Sequence, residues 1–123
     1  MLSGRTILIV EAEFLISLSM QAVLQGLGAS QFIVLTSPAQ ALQKRSEWGP
    51  IGLAILEIEA NHPDQMDLAR AMVAEGVPVL GLTADSRLGR GVPDLPDTPI
   101  LVKPVPDEVL AETAQALLAG AKS

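Results

Sequence analysis

Leu53-Ala54-Ile55-Leu56-Glu57 is an apolar run that ends in a single acid. The pattern recurs along the chain. Ile7-Leu8-Ile9-Val10 runs into Glu11, Val79-Leu80-Gly81-Leu82 into Thr83, and Ile100-Leu101-Val102 into Lys103-Pro104. Continuous apolar runs of this length, bounded by turn signals, suit strands buried on both faces of a parallel sheet. Parallel strands place their last residues at one carboxyl edge, where open α/β sheets hold their sites. The spacing therefore predicts that two carboxylates, a hydroxyl and an ammonium converge there from distant parts of the chain.

Between these runs the sequence alternates strand and helix signals. A helix is expected from about Glu13 to Leu27, stopped by Gly26 and Gly28. Its apolar residues, Leu15, Ile16, Leu18, Met20, Val23 and Leu24 among them, cover more of the helix than one sheet face requires, and Ser17, Gln21 and Gln25 hold a narrow polar strip. The excess apolar surface reads either as deep packing or as a face that docks a partner. A second strand is predicted at Phe32 to Leu35, then a helix capped by Ser37 with Pro38 at its first position, running to about Arg45. The third strand is predicted at Gly52 to Leu56. A loop with Asn61, His62 and Pro63 follows, then a helix from Asp64 to Ala74 with Met66, Ala69 and Val73 inward, and a fourth strand from Pro78 to Leu82.

Residues 84–99 hold Gly89, Gly91, Pro93, Pro96 and Pro99, which leave room for two helical turns at most. After the fifth strand, Pro106 suits a first helical position and Asp107 and Glu108 complement the helix dipole. Leu110, Ala114, Leu117 and Leu118 form the inner stripe, with Gly120 as the stop. The order is that of a doubly wound α/β domain over residues 1–123, with the helix between the fourth and fifth strands shortened or lost.

Composition narrows the function classes. The chain has 49% hydrophobic and 18% charged residues, as ordinary globular domains do. It has no cysteine, which excludes a disulfide framework and thiolate metal sites. The net charge of −6 argues against a nucleic-acid surface. No apolar run approaches the roughly 18 residues of a membrane helix, and Glu11 and Glu13 interrupt the N-terminal apolar stretch where a signal peptide would need continuity. The expectation is a cytoplasmic acidic domain with no nucleic-acid or membrane partner.

The ordered motifs Ile7 to Glu13 (ILIVEAE), Leu53 to Glu57, Thr83-Ala84 and Lys103-Pro104 resemble those of two-component response regulator receiver domains, over essentially the whole chain. The resemblance implies a flavodoxin-like five-stranded parallel sheet in the order 2-1-3-4-5, and a cis bond before Pro104, which X-Pro bonds permit. It also implies a site. In such receivers an acidic pair after strand 1 holds Mg2+, an aspartate ending strand 3 accepts a phosphoryl group, and a Thr or Ser and a Lys bind its oxygens.

Here Glu11 matches the first acid, but Ala12 stands in place of the second and Glu57 in place of the aspartate. Thr83 and Lys103 are retained, and Ile100 replaces the usual aromatic switch residue. Mg2+ needs near-octahedral oxygen ligands, and alanine supplies none. The extra methylene of Glu57 pushes its oxygens about 1.5 Å outward, and phosphoryl transfer depends on positioning and metal electrostatics. Metal binding by Glu11, Glu57 and Glu59 is therefore expected to be weak or absent, with Glu13 a further member of the acidic pocket and no other cofactor implied.

Each site residue also has a plain structural reading. Lys103 and Glu57 would form an ion pair, Thr83 would cap the segment that follows it, and Glu11 and Glu13 would be solvated acids at a helix N-terminus. His62 reads as a solvent-facing turn residue. Phe14, near the site edge, is a candidate partner contact. The resulting expectation is an atypical, non-enzymatic, stand-alone receiver. It would bind a histidine kinase, a histidine phosphotransfer protein or another signalling protein without conventional phosphorylation. A receiver still phosphorylated by a kinase, a fragment of a larger regulator, and a small flavodoxin-like enzyme are the alternatives. No Gly-rich phosphate loop follows the first or third strand to favour the enzyme.

Overall fold

Alternation of side chains along a strand divides each buried run between two faces, and here both faces are covered by helices. The computed structural model describes residues 4–121. Strands β1 (Thr6–Val10), β2 (Gln31–Leu35), β3 (Leu53–Glu57), β4 (Val79–Thr83) and β5 (Ile100–Val102) form one parallel sheet in the order β2-β1-β3-β4-β5. Helices α1 (Phe14–Gly26) and α4 (Asp107–Ala121) pack on the face that carries Ile7, Ile9, Leu53, Ile55, Leu80 and Leu82. Helices α2 (Pro38–Lys44) and α3 (Pro63–Ala74) cover Leu8, Val10, Ala54 and Leu56 on the other. Opposed layers of this kind are the flavodoxin-like doubly wound arrangement.

Local signals account for most element ends. The Ser37 side chain accepts a hydrogen bond from Gln40 N at 3.3 Å, with Pro38 opening α2. Gly28 (φ 103°) and Gly76 (φ 81°) follow α1 and α3 in a conformation that side-chain-bearing residues rarely adopt. Several expected details are corrected. β3 and β4 each lie one residue later than the apolar pattern suggests, so Glu57 and Thr83 are strand residues. α3 starts at Pro63, and Val73 is exposed while Leu68 and Met72 take the buried positions. Pro106 precedes α4, its carbonyl accepting from Leu110 N at 3.1 Å, and Gly120 lies within that helix instead of stopping it.

Helix α1 departs further from expectation. Ser17, assigned to the polar strip, is fully buried beside Met20 and Leu24. Its hydroxyl has no hydrogen-bond partner among the described residues. Leu15 and Leu18 are exposed instead. Ser17 therefore lies on the inner line with Met20 and Leu24, and the exposed leucines lie off it.

No α-helix joins β4 to β5 among the described residues; a five-residue 3-10 helix, Ser86–Arg90, is all that the Gly and Pro residues allow. The loop after it does the covering. Val92 and Leu95 are buried against Ile58 and Ile100. Gly81 lies beneath them, and a β-carbon there would stand only 2.5 Å from Ile100 Cδ1. Because Leu95 stands in for a missing helix, Leu95→Ala is expected to cost about 2–5 kcal/mol, as for other buried leucines. Chemical denaturation measures this, and a loss below about 1 kcal/mol would show the loop to be a passive cover.

Candidate functional site

The sheet register sets the site. Val10 pairs with Leu56, Glu57 with Leu82, and Thr83 with Val102, so the residues that end β1, β3, β4 and β5 arrive at one edge. Glu11, Glu57 and Lys103 meet there. Lys103 Nζ donates to Glu11 Oε1 at 3.0 Å and to Glu57 Oε2 at 3.1 Å. The lysine side chain is 9% exposed, that of Glu11 0% and that of Glu57 17%. Burial alone would depress the Lys103 pKa. The hydrogen bonds it donates to Glu11 and then to Glu57, with the charges of those acids, more than reverse this and hold it above its ordinary value. Lys103 and Pro104 are joined by a cis peptide bond.

Every oxygen of the two acids has a donor. Glu11 Oε2 accepts from Glu13 N at 2.9 Å, and Glu57 Oε1 from Ala12 N at 3.3 Å. Glu11 is thus a buried structural acid, not a solvated helix-end residue. The Glu13 side chain is 69% exposed and reaches only 4.0 Å from Lys103, so it borders the centre without joining it.

Thr83 and Glu59 form a second cluster. The Thr83 hydroxyl donates to Glu59 Oε1 at 2.7 Å and Ala84 N donates to Glu59 Oε2 at 2.8 Å. Glu59 is therefore neither paired with Lys103 nor turned toward Glu11 and Glu57. Thr83 also accepts from Asp85 N at 3.1 Å, but the cap of the segment that follows is Asp85, whose side chain accepts from Arg87 N at 2.9 Å, and not Thr83 as expected. Asp85 is held below the usual carboxylate range by hydrogen bonds from the Arg87 side chain and backbone. His62 is exposed, at the start of α3. Phe14 is 65% exposed at the start of α1.

These residues do not fit Mg2+. The ion would need unshared carboxylate oxygens directed at one point. Here an ammonium lies between Glu11 and Glu57, Glu59 is committed elsewhere, and Ala12 contributes only its amide. One ammonium facing two carboxylates also leaves a net negative charge, which opposes an incoming phosphoryl group.

Beside the site, a groove of about 490 Å3 runs between α1 and the start of α4, lined by Leu15, Ile16, Met20, Val105 and Leu110, with Lys103 at its margin. Phe14, Leu15 and Leu18 are exposed on the same helix. The sequence marked the apolar excess of α1 but not the groove, which depends on how α1 and α4 splay.

No family sequence model and no curated protein matches the chain. Solved structures do. The signal receiver domain of a signal transduction histidine kinase from Syntrophus aciditrophicus matches with a TM-score of 0.77 at 27% identity, covering 97% of this chain and 93% of that one. A response regulator receiver protein from Sinorhizobium medicae matches with a TM-score of 0.77 at 23% identity, over 98% and 99%. A response regulator protein from Thermotoga maritima, in complex with Mg2+ and BeF, matches with a TM-score of 0.75 at 24% identity, over 93% and 99%. With five parallel strands in the order β2-β1-β3-β4-β5 and their ends gathered at one edge, the chain has the fold of a response regulator receiver domain.

Proposed function

We propose that this chain is an atypical receiver domain that acts in two-component signalling by binding a partner protein in the cytoplasm, without conventional phosphorylation and without catalysis of its own. The observation that carries the reading is the saturated centre. Lys103 joins Glu11 and Glu57 at 3.0 and 3.1 Å, and backbone amides take their remaining oxygens. A centre whose oxygens are already taken by the protein's own donors supports a reading without metal binding or conventional phosphorylation. The matched receiver domain of a histidine kinase supports a signalling context. A histidine kinase or histidine phosphotransfer protein is the class of partner that this context suggests. Phe14, Leu15 and Leu18, exposed beside the site, are the contact surface we assign to it.

The test is an amide NMR spectrum of the unaltered protein with and without acetyl phosphate and Mg2+. Superimposable spectra are expected. Widespread shifts around Glu57, Thr83 and Lys103 would return the domain to the ordinary phosphorylated class.

A further inference from the structure

We propose that Glu59 is a tethered anion. Its carboxylate permanently fills a donor pocket made by the Thr83 hydroxyl and the Ala84 amide, and so latches the segment after β4 to the segment after β3. Both hydrogen bonds are short, at 2.7 and 2.8 Å, and each uses a different oxygen of the carboxylate. Charged acceptors on neutral donors make the stronger class of hydrogen bond.

The hydroxyl has no freedom to choose. Asp85 N can only donate, and it donates to Thr83 Oγ1 at 3.1 Å. The Thr83 proton is therefore directed at Glu59, and the side chain, fully buried, is fixed in orientation. The latch is braced from both ends. Glu59 N donates to Gln65 Oε1 at 2.7 Å, which ties it to α3. On the far side, Asp85 Oδ1 accepts from Arg87 N at 2.9 Å, within the short helical segment after β4. A continuous chain of polar contacts thus runs from α3 through Glu59, Thr83 and Asp85 to Arg87.

A pocket of one hydroxyl and one amide, both pointing at the same carboxylate, is selective for an oxyanion. Occupied by the protein's own side chain, it has no vacancy for an external one. The latch builds on the phosphorylation-independent reading above, because it explains why Thr83 needs no phosphoryl group to hold its position. Its hydrogen bonds can be tested with neither Mg2+ nor a phosphodonor present, so its failure is separate from failure of that reading.

The experiment follows backbone amides while inorganic phosphate is added at constant ionic strength. In the unaltered protein the Ala84 amide proton is expected far downfield and unmoved by phosphate. Glu59→Ala should shift it upfield more than any amide outside residues 57–59 and 83–87, and phosphate should then return it downfield saturably. Glu59→Gln keeps the shape but offers one acceptor oxygen, so a smaller upfield step is expected, which covers the case in which the alanine variant does not fold. An Ala84 amide unmoved in the variants, or one that responds to phosphate equally with Glu59 in place, would overturn the latch.

Discussion

Lys103→Met is expected to destabilise the domain by about 3–5 kcal/mol, the cost of stranding buried charges after one partner is removed. Methionine keeps the length and apolar stem of lysine, so the loss reports charge, not volume. Glu11 would bear most of it. Its side chain is completely buried, and among the described residues its only partner besides Lys103 is the amide of Glu13. Adding Glu11→Gln to the lysine variant should recover part of the loss by removing the stranded charge. Urea denaturation of the three proteins measures this, and a loss under about 1 kcal/mol for Lys103→Met would show the centre to be solvated. The pH dependence has a definite sign. The folded-state pKa of Lys103 is raised, so its stabilisation is complete below the ordinary value of 10.5 and is lost as pH rises through the folded value. That alkaline limb should be missing from Lys103→Met.

The second large effect lies in rebuilding the metal site. Ala12→Asp with Glu57→Asp supplies the absent carboxylate and draws the other one back by about 1.5 Å. In the unaltered protein Mg2+ should bind no tighter than tens of millimolar, on the order expected where direct ligands are missing. The double variant should tighten binding at least tenfold by calorimetry. Adding Glu59→Ala frees the Thr83 and Ala84 donors, and labelling by acetyl phosphate should then rise by about 100-fold, the scale on which ångström misplacements act. Sub-millimolar Mg2+ binding by the unaltered chain, or no gain from the double variant, would mean that Lys103 yields the centre more readily than its contacts indicate.

The sheet was legible because β1, β3 and β4 are buried on both faces and appear as unbroken apolar runs. The missing helix was legible for the opposite reason, since Gly89, Gly91, Pro93 and Pro96 exclude it. The strand-end rule alone brought Glu11, Glu57 and Lys103 to one edge, but it left Glu11 reading as a solvated acid when it is the lysine's buried partner. That rule could not say which acid Thr83 would meet. Glu57 and Glu59 both arrive near the same edge, and only the path of the backbone past β3 turns Glu59 to the hydroxyl and leaves Glu57 to the lysine. Helix faces were the weakest reading. In α3, Met66, Ala69 and Val73 fit a helical stripe as well as Leu68, Ala69 and Met72 do, and a rotation of one position decides between them. Ser17 misled because a serine is expected outside, whereas here it is buried beside Met20 and Leu24.

The two rims of the sheet are unequal as templates for intermolecular strand pairing. β5 is only three residues long, and Pro99 and Pro104 bracket it. A strand this short, flanked by residues without an amide hydrogen, gives a second chain little to zip onto. β2, at the opposite rim, has five residues and the partly exposed run Phe32-Ile33-Val34. Any ordered aggregate grown by adding strands to the native domain should therefore nucleate on the β2 side, and a charge introduced at Gln31, the exposed residue of that strand, is where a more soluble form would begin.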